Sequence, residues 1–324
     1  MDVNATLNIL IPSAGGLSGT FLIRHLSHQA IEHYRYRIVA ADSNRHTVAR
    51  RLASAFYQVP ACHDPDYERA ILEIILKENI DIIFPVASYD TPFFAQRKAR
   101  LEQMGVQLLV CDMSTHERLH NKKTMYETMR TIGIPVPRYY GPHPPLFYPA
   151  IIKPAASSGS KNVCKLENDG DYRYWSSKLK EYVVTDFIEG TEYTVDCLFD
   201  KSNRLVLSNV RERVKMNGGA VVITRQAESA AVLTSILQKI EAHLKIEGPV
   251  NFQYIADREN RLFLTDFNTR FASGGLPLTV AAGYDIPNLM IRIMLNQPVD
   301  VSDVVPPKGL TMYRYYQEWI TEEP

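Results

Sequence analysis

Hydrophobic and polar positions change over in blocks through the first hundred residues. Residues 7–12 (LNILIP) form an apolar run, 13–20 (SAGGLSGT) are small and polar, and 21–34 (FLIRHLSHQAIEHY) carry helical spacing. A second apolar run, 37–42 (RIVAAD), ends in an acid. Residues 66–80 place Ile71, Ile74, Ile75 and Leu76 on one helical face, and 81–86 (DIIFPV) and 106–110 (VQLLV) read as further buried strands. Apolar strands separated by helices predict βαβ units and a parallel sheet.

The pattern changes near residue 112. Ser114 and Glu117 have the spacing of a capping box, which predicts one helix running through KKTMYETMR to Gly133, with Pro135 and Pro137 just beyond. Four prolines in 139–149 make an extended linker. From there paired strands dominate. AIIKP (150–154) and EYVVTDFI (181–188) read as strands, 192–200 and 204–210 as a hairpin about Lys201–Asn203, and 250–257 and 261–268 as a second hairpin about Arg258–Asn260. Helices are expected over 229–245 and 276–296.

Composition narrows the classes. The 324 residues suggest two or three domains. Lys+Arg and Asp+Glu are 36 each, so the net charge is zero, which argues against a general nucleic-acid binder. Four scattered cysteines form neither a disulfide framework nor a zinc ribbon and suit a reducing cytoplasm. The uncharged stretch Val3–Ile23 is broken by Pro12, three glycines and several polar residues, and Asp2 stands where a signal peptide is basic. It is read as a strand, loop and helix of a cytoplasmic protein with no targeting segment and no membrane partner.

Four motifs carry candidate chemistry. Gly15, Gly16 and Gly19 follow a strand and open a helix, with Asp42 ending the next strand. This is close to a dinucleotide fingerprint, though its first glycine is displaced, and the same loop serves as a plain strand-to-helix turn. His116-Glu117-Arg118-Leu119-His120 is a literal H-E-x-x-H, but Glu117 is engaged in the capping box and no third zinc ligand is near. Lys153 precedes a small-residue loop with Gly159 and Lys161, able to cradle phosphates without being a Walker loop. Asp266, Asn268 and Arg270 alternate on one strand, with Gln253 on its hairpin partner. Oxygen ligands and a guanidinium therefore share one face, as Mg²⁺ with a phosphate substrate requires; the bland alternative is a polar surface strand.

The last two motifs, in this order and about a hundred residues apart, resemble the ATP-grasp superfamily, in particular its carbamoyl-phosphate-synthase-like branch. The resemblance covers nearly the whole chain. It implies an α/β and α+β fold with three regions: a Rossmann-like pre-ATP-grasp domain (1–112), a small lid (113–187) and a C-terminal antiparallel-sheet catalytic subdomain (188–324). NKKTMYETMRTIGIPVP resembles the opening helix, which brings Lys122 to the ATP phosphates. IIKPAASSGS resembles the lid strand and glycine loop, implying Lys153, Ser158, Gly159 and Ser160 at the phosphates. VVTDFIEGTEYTVD resembles the hinge, implying adenine against Thr185, Asp186, Phe187 and Ile188 and ribose on Glu192. FQYI and LTDFNTR resemble the metal strands, implying Gln253, Asp266 and Asn268 on Mg²⁺ (Mn²⁺ as substitute) and Arg270 on the transferred phosphoryl group, with Arg211 and Arg213 also facing phosphate or substrate. The family's usual metal glutamate is here Asp266, its second acid is Gln253, and the aspartate before its basic residue is Asn121.

The resemblance implies ATP-dependent phosphorylation of a carboxylate to an acyl phosphate, which an amine then attacks, releasing ADP and phosphate. Both partners are small molecules, and a homodimer is compatible with the class. Candidate substrate residues are Ser13, Gly15, Gly16, Ser88, Asp90, Arg225, Ser273 and Gly274, with an amino acid as the default substrate. The alternatives are bicarbonate activation of the carbamoyl-phosphate-synthase type, a nucleotide-binding sensor without ligase activity, and an NAD(P)-dependent oxidoreductase using Gly15–Gly19 and Asp42.

Overall fold

The computed structural model describes residues 5–31, 34–156 and 161–322. Its elements fall into three sheets. The first is built from β1 (Ala5–Ile11), β2 (Ala30–Ile31), β3 (Tyr34–Asp42), β4 (Ala55–Gln58) and β5 (Ile82–Ile83). Helices α1 (Leu17–Leu26), α2 (Ala49–Leu52), α3 (Tyr67–Glu78) and α4 (Asp90–Gln103) connect and cover them. β1 pairs in parallel with β3 and β5, and β3 in parallel with β4; only the short β2 is antiparallel. The apolar runs therefore form the expected parallel sheet, with Ile9, Leu10, Ile11, Ile38 and Val39 wholly buried. The chain leaves β1 toward β3 and β4, then returns to place β5 on the other side of β1. The crevice beyond the strand ends there is where open α/β sheets hold ligands.

Two helices follow, α5 (Met113–His120) and α6 (Lys122–Thr131). The expected single helix is broken at Asn121, whose backbone is extended and whose side chain accepts from the Lys123 N–H to cap α6. The cap of α5 is also different: Asp112, not Ser114, accepts from the Thr115 N–H. Ser114 instead donates to Asp112, and Glu117 is exposed, so no capping box forms. A carboxylate one position closer to the strand end accepts the orphan amides better than a hydroxyl.

The second sheet has β6 (Tyr139–Gly141), β7 (Ala150–Pro154), β8 (Cys164–Leu166) and β9 (Tyr182–Asp186) in the order β6–β9–β7–β8, with α7 (Asp169–Lys178) against it. The third sheet holds β10 (Gly190–Phe199), β11 (Leu205–Asn217), β12 (Ala220–Gln226), β13 (Gly248–Asp257), β14 (Leu262–Asn268) and β15 (Thr311–Tyr313), antiparallel and ordered β14–β13–β10–β11–β12–β15. Both expected hairpins are present, as β10–β11 and β13–β14. α8 (Ala231–His243) lies where a helix was expected, while the 276–296 segment is two helices, α9 (Leu276–Ala281) and α10 (Ile286–Met294). Gly283, at φ +99°, and the capping Asp285 separate them. One apolar cluster joins the first and third sheets: Ile9, Ile11, Leu22 and Ile38 pack in the same core as Leu198, Phe271, Leu276 and Met290.

Candidate active site

Three basic-acidic contacts converge between the second and third sheets. The Asn121 cap makes Lys122 the first residue of α6, and its backbone N–H is tied to Ala155 beyond β7 (2.7 Å). Its buried ammonium lies 3.4 Å from Asp266 Oδ1. Lys153 sits on β7 and donates to the Thr265 carbonyl (2.9 Å), 5.1 Å above the Tyr126 ring. Burial pulls the Lys153 ammonium down to about 8, while Asp266 and Glu192 work in the opposite direction. Burial pushes the Asp266 carboxyl up, but Lys122, Lys153 and the Asn268 amide outweigh it and hold it below the usual carboxylate range.

Lys122, Lys153, Thr185, Ile188 and Glu192 line one cavity of about 190 Å³, with Asp186 and Phe187 at its edge. The Asp186 carboxylate accepts from the Tyr140 hydroxyl (2.5 Å), and the N–H groups of Asp186 and Phe187 bond the Arg138 and Pro149 carbonyls. Glu192 is 3.1 Å from Arg213 Nε. Ser158, Gly159 and Ser160 lie outside the described residues.

Asp266 and Gln253 also line a second, narrow cleft walled by Arg211, Arg213, Asn268 and Arg270. Gln253 faces Asp266 across β13–β14, and Asn251 faces Asn268. Asn268 donates to Asp266 (3.2 Å). Asn251 was not among the residues expected here; it stands two before Gln253, the same alternation that relates Asn268 to Asp266. One carboxylate with three neutral amide side chains is an oxygen-donor set that fits Mg²⁺ completed by phosphate oxygens.

The arginines are held differently. Arg211 is 2% exposed and makes a bidentate pair with Asp196 (2.9 and 3.2 Å), leaving Nη1 without a partner at the cleft. Gly275 lies directly on it: a Cβ there would fall 1.9 Å from Cζ. Arg270 donates to Ser88 Oγ (2.6 Å) and the Phe271 carbonyl (2.6 Å), and so bridges the third sheet to the first.

Arg270 and Ser273 open into a third space of about 610 Å³, lined also by Ser13, Gly15, Gly16 and Ser88. Gly274 lines only the arginine cleft, and its carbonyl accepts from Arg314 (2.6 Å). Two expected substrate residues are not on these walls. Asp90 is wholly buried behind Ser13, which donates to it (3.0 Å), and burial pushes its carboxyl up to about 7. Arg225 is exposed and paired with Glu212 (2.6 Å); strand alternation turns both away from the face bearing Arg211 and Arg213. Asp42 accepts from the Gly15 and Asn44 N–H groups (2.7 and 2.8 Å), so the glycine loop is braced by the acid that a dinucleotide ribose would need. His116 is buried, with Nδ1 2.7 Å from Thr269 Oγ1, and stacks on His120; among the described residues no group of three His, Cys, Asp or Glu side chains could hold a metal.

This three-sheet fold, with lysines, a carboxylate and arginines at the junction of two cavities, defines a class: the chain belongs to the ATP-grasp superfamily. Residues 178–318 match the family described as "ATP-grasp in the biosynthetic pathway with Ter operon". Residues 9–109 match "PylC-like, N-terminal domain". The carbamoyl phosphate synthase large chain of Pseudomonas syringae pv. tomato is 20% identical over 304 residues, covering 84% of this chain; this chain spans only 28% of that relative's length. The biotin carboxylase domain of Hydrogenobacter thermophilus 2-oxoglutarate carboxylase, solved with MgADP and bicarbonate, has the same fold (TM-score 0.71, 16% identity, 91% of this chain and 71% of that one). So does the L-amino acid ligase of Bacillus licheniformis (TM-score 0.69, 14% identity, 94% and 78%). Among the described residues no helix is long and apolar enough to cross a membrane.

Proposed function

We propose that the protein is an ATP-dependent carboxylate–amine ligase. One observation carries this reading: Asp266 and Gln253 stand where two cavities meet, one lined by Lys122 and Lys153 and the other by three arginines. ATP would lie in the first, between the lid (113–187) and the catalytic subdomain (188–324), with Thr185–Ile188 along the adenine and Glu192 at the ribose. Asp266, Asn268, Gln253 and Asn251 would hold Mg²⁺ or Mn²⁺, which supplies neutralisation of phosphate charge. Lys122 and Lys153 hold the phosphate oxygens. Arg211, through its free Nη1, and Arg270 hold the charge that develops as a carboxylate oxygen attacks the γ-phosphorus and the bond to ADP breaks. The amine then attacks the acyl carbon, phosphate leaves, and the amine proton passes to solvent. Catalysis of this kind is positioning and electrostatics, with no enzyme nucleophile.

The substrate enters from the 1–112 region, whose cavity reaches Arg270. Its partners are a small carboxylate and an amine. The four unpaired cysteines favour the cytoplasm as its place, and light scattering tests a homodimer. ADP release from ATP and Mg²⁺, screened against carboxylates and amines, tests the reading. ATP binding with no acceptor-stimulated release would favour a sensor. Bicarbonate is the second reading, favoured by the likeness to carbamoyl phosphate synthase; ADP release driven by bicarbonate alone would mark it.

A further inference from the structure

Buried polar atoms are nearly always hydrogen-bonded, so an unpartnered one asks for an occupant. Arg211 Nη1 answers to the phosphate site proposed above. Three others gather elsewhere: Tyr67 Oη, Asp90 Oδ2 and Arg97 Nε. Tyr67 and Arg97 line an open cavity of about 590 Å³ at the ends of β3 and β4. Asp90 lies behind it, held by Ser13, which lines this cavity too. Tyr67 is only 2% exposed, yet its hydroxyl completes no hydrogen bond.

The rest of the wall is apolar and flat. Val59, Pro60 and Pro92 contribute, and the Phe93 ring is fixed from two sides, by Tyr67 edge-on at 4.8 Å and by the Arg97 guanidinium at 4.0 Å. Tyr89, 61% exposed, stands between this cavity and the 610 Å³ space that reaches Arg270; Tyr89 and Ser13 line both. An aliphatic group would cover the apolar wall and leave the three polar atoms unpaired. A cation or anion would meet Arg97 already paired with Glu68. A planar ring bearing a group that both donates and accepts satisfies wall and polar atoms together.

We propose that this cavity is the specificity pocket of the enzyme and takes a hydroxyl- or amide-bearing aromatic ring, so that the substrate is a carboxylate with such a ring at its far end. The ring pocket stands on its own geometry; the carboxylate end rests on the ligase reading. Phenol and fluorobenzene, followed by ligand-observed NMR on the full chain without nucleotide, probe the pocket. Phenol should bind roughly tenfold more tightly than fluorobenzene, the effect of one added hydrogen bond. Tyr67→Phe should bring phenol to the fluorobenzene level without lowering the melting temperature, because the lost hydroxyl has no protein partner. Ala61→Leu, which fills the cavity, should abolish binding of both and leave ATP affinity unchanged. In the second arm, 4-hydroxyphenyl alkanoates of increasing chain length should drive ADP release at lower concentration than acetate. Absent phenol binding, or phenol binding indifferent to Tyr67→Phe, overturns the pocket, and Tyr67→Phe decides alone if Ala61→Leu does not fold. Phenol binding with no carboxylate-driven ADP release sinks the ligase reading and keeps the pocket. ADP release by small carboxylates with no preference for a ring does the reverse.

Discussion

Lys153→Met separates the charge of this lysine from its place in the fold. The Thr265 carbonyl accepts from Lys153 Nζ at 2.9 Å and also from the Tyr126 hydroxyl at 3.1 Å, so methionine leaves it partnered. Asp266 keeps Lys122 at 3.4 Å. The variant also removes a buried ammonium that burial has already pulled down to about 8. Its melting temperature should therefore stay level or rise. ATP loses one charged hydrogen bond to phosphate, roughly 1.5–3 kcal/mol, or about ten- to 150-fold in affinity. Calorimetric titration with ATP and Mg²⁺ reads this directly. The pH dependence is a second handle. In the free protein the lysine loses its proton as pH rises through about 8, so wild-type affinity should hold below that and weaken above it, and the methionine variant should show no such limb. Unchanged affinity would remove Lys153 from the phosphates, and a collapse in melting temperature would make it a structural residue.

Other outcomes follow from the same site. Asp266→Asn nearly keeps the shape but removes the one carboxylate between Lys122 and Lys153 (3.4 Å from the former); ADP release should fall at least a hundredfold while ATP affinity changes less than tenfold. Gly275→Ala sets a Cβ 1.9 Å from Arg211 Cζ, and Arg211 is locked on Asp196, so the variant should lose roughly 1–3 kcal/mol in urea unfolding along with its turnover. His116 is held at about 4 by burial and then by His120, against 6.5 when unfolded. The folded chain thus binds fewer protons between those values. Its contribution is complete above pH 6.5 and lost as pH falls toward 4, by about 3 kcal/mol at most. His116→Gln should lack that segment of the stability curve.

Much of this was legible in the chain because the strands of the first sheet are buried on both faces, and runs such as 7–12 and 37–42 can do nothing else. The metal strands were legible for the opposite reason: Asp266, Asn268 and Arg270 recur with a period of two between aromatic residues. Asn251 escaped the same reading because it sits inside an apolar segment, Val250–Phe252, and its role depends on facing Asn268. The break at Asn121 was invisible to periodicity, since α5 and α6 together keep an almost continuous apolar rhythm; only the competing cap shows it. Arg225 shows the limit of reading along one strand. Which face it takes is fixed by its register with Glu212, a fact about two strands. Asp90 was misplaced because its neighbours Ser88 and Tyr89 do line the cavity, and the helix it opens turns it inward.

The apolar cluster that runs through both the first and third sheets has a consequence for evolution in the laboratory. Ile9 and Leu22 share a core with Phe271 and Met290, and Arg270 reaches across to Ser88. A chimera that grafts another N-terminal region onto this catalytic half would have to match dozens of side-chain shapes before it bound anything. Retuning what the enzyme accepts is therefore a matter of point changes on cavity walls such as Ala61, Tyr67 and Tyr89, where the solvent side can absorb a new shape. The joint that looks most like a seam in the chain is the least exchangeable part of the molecule.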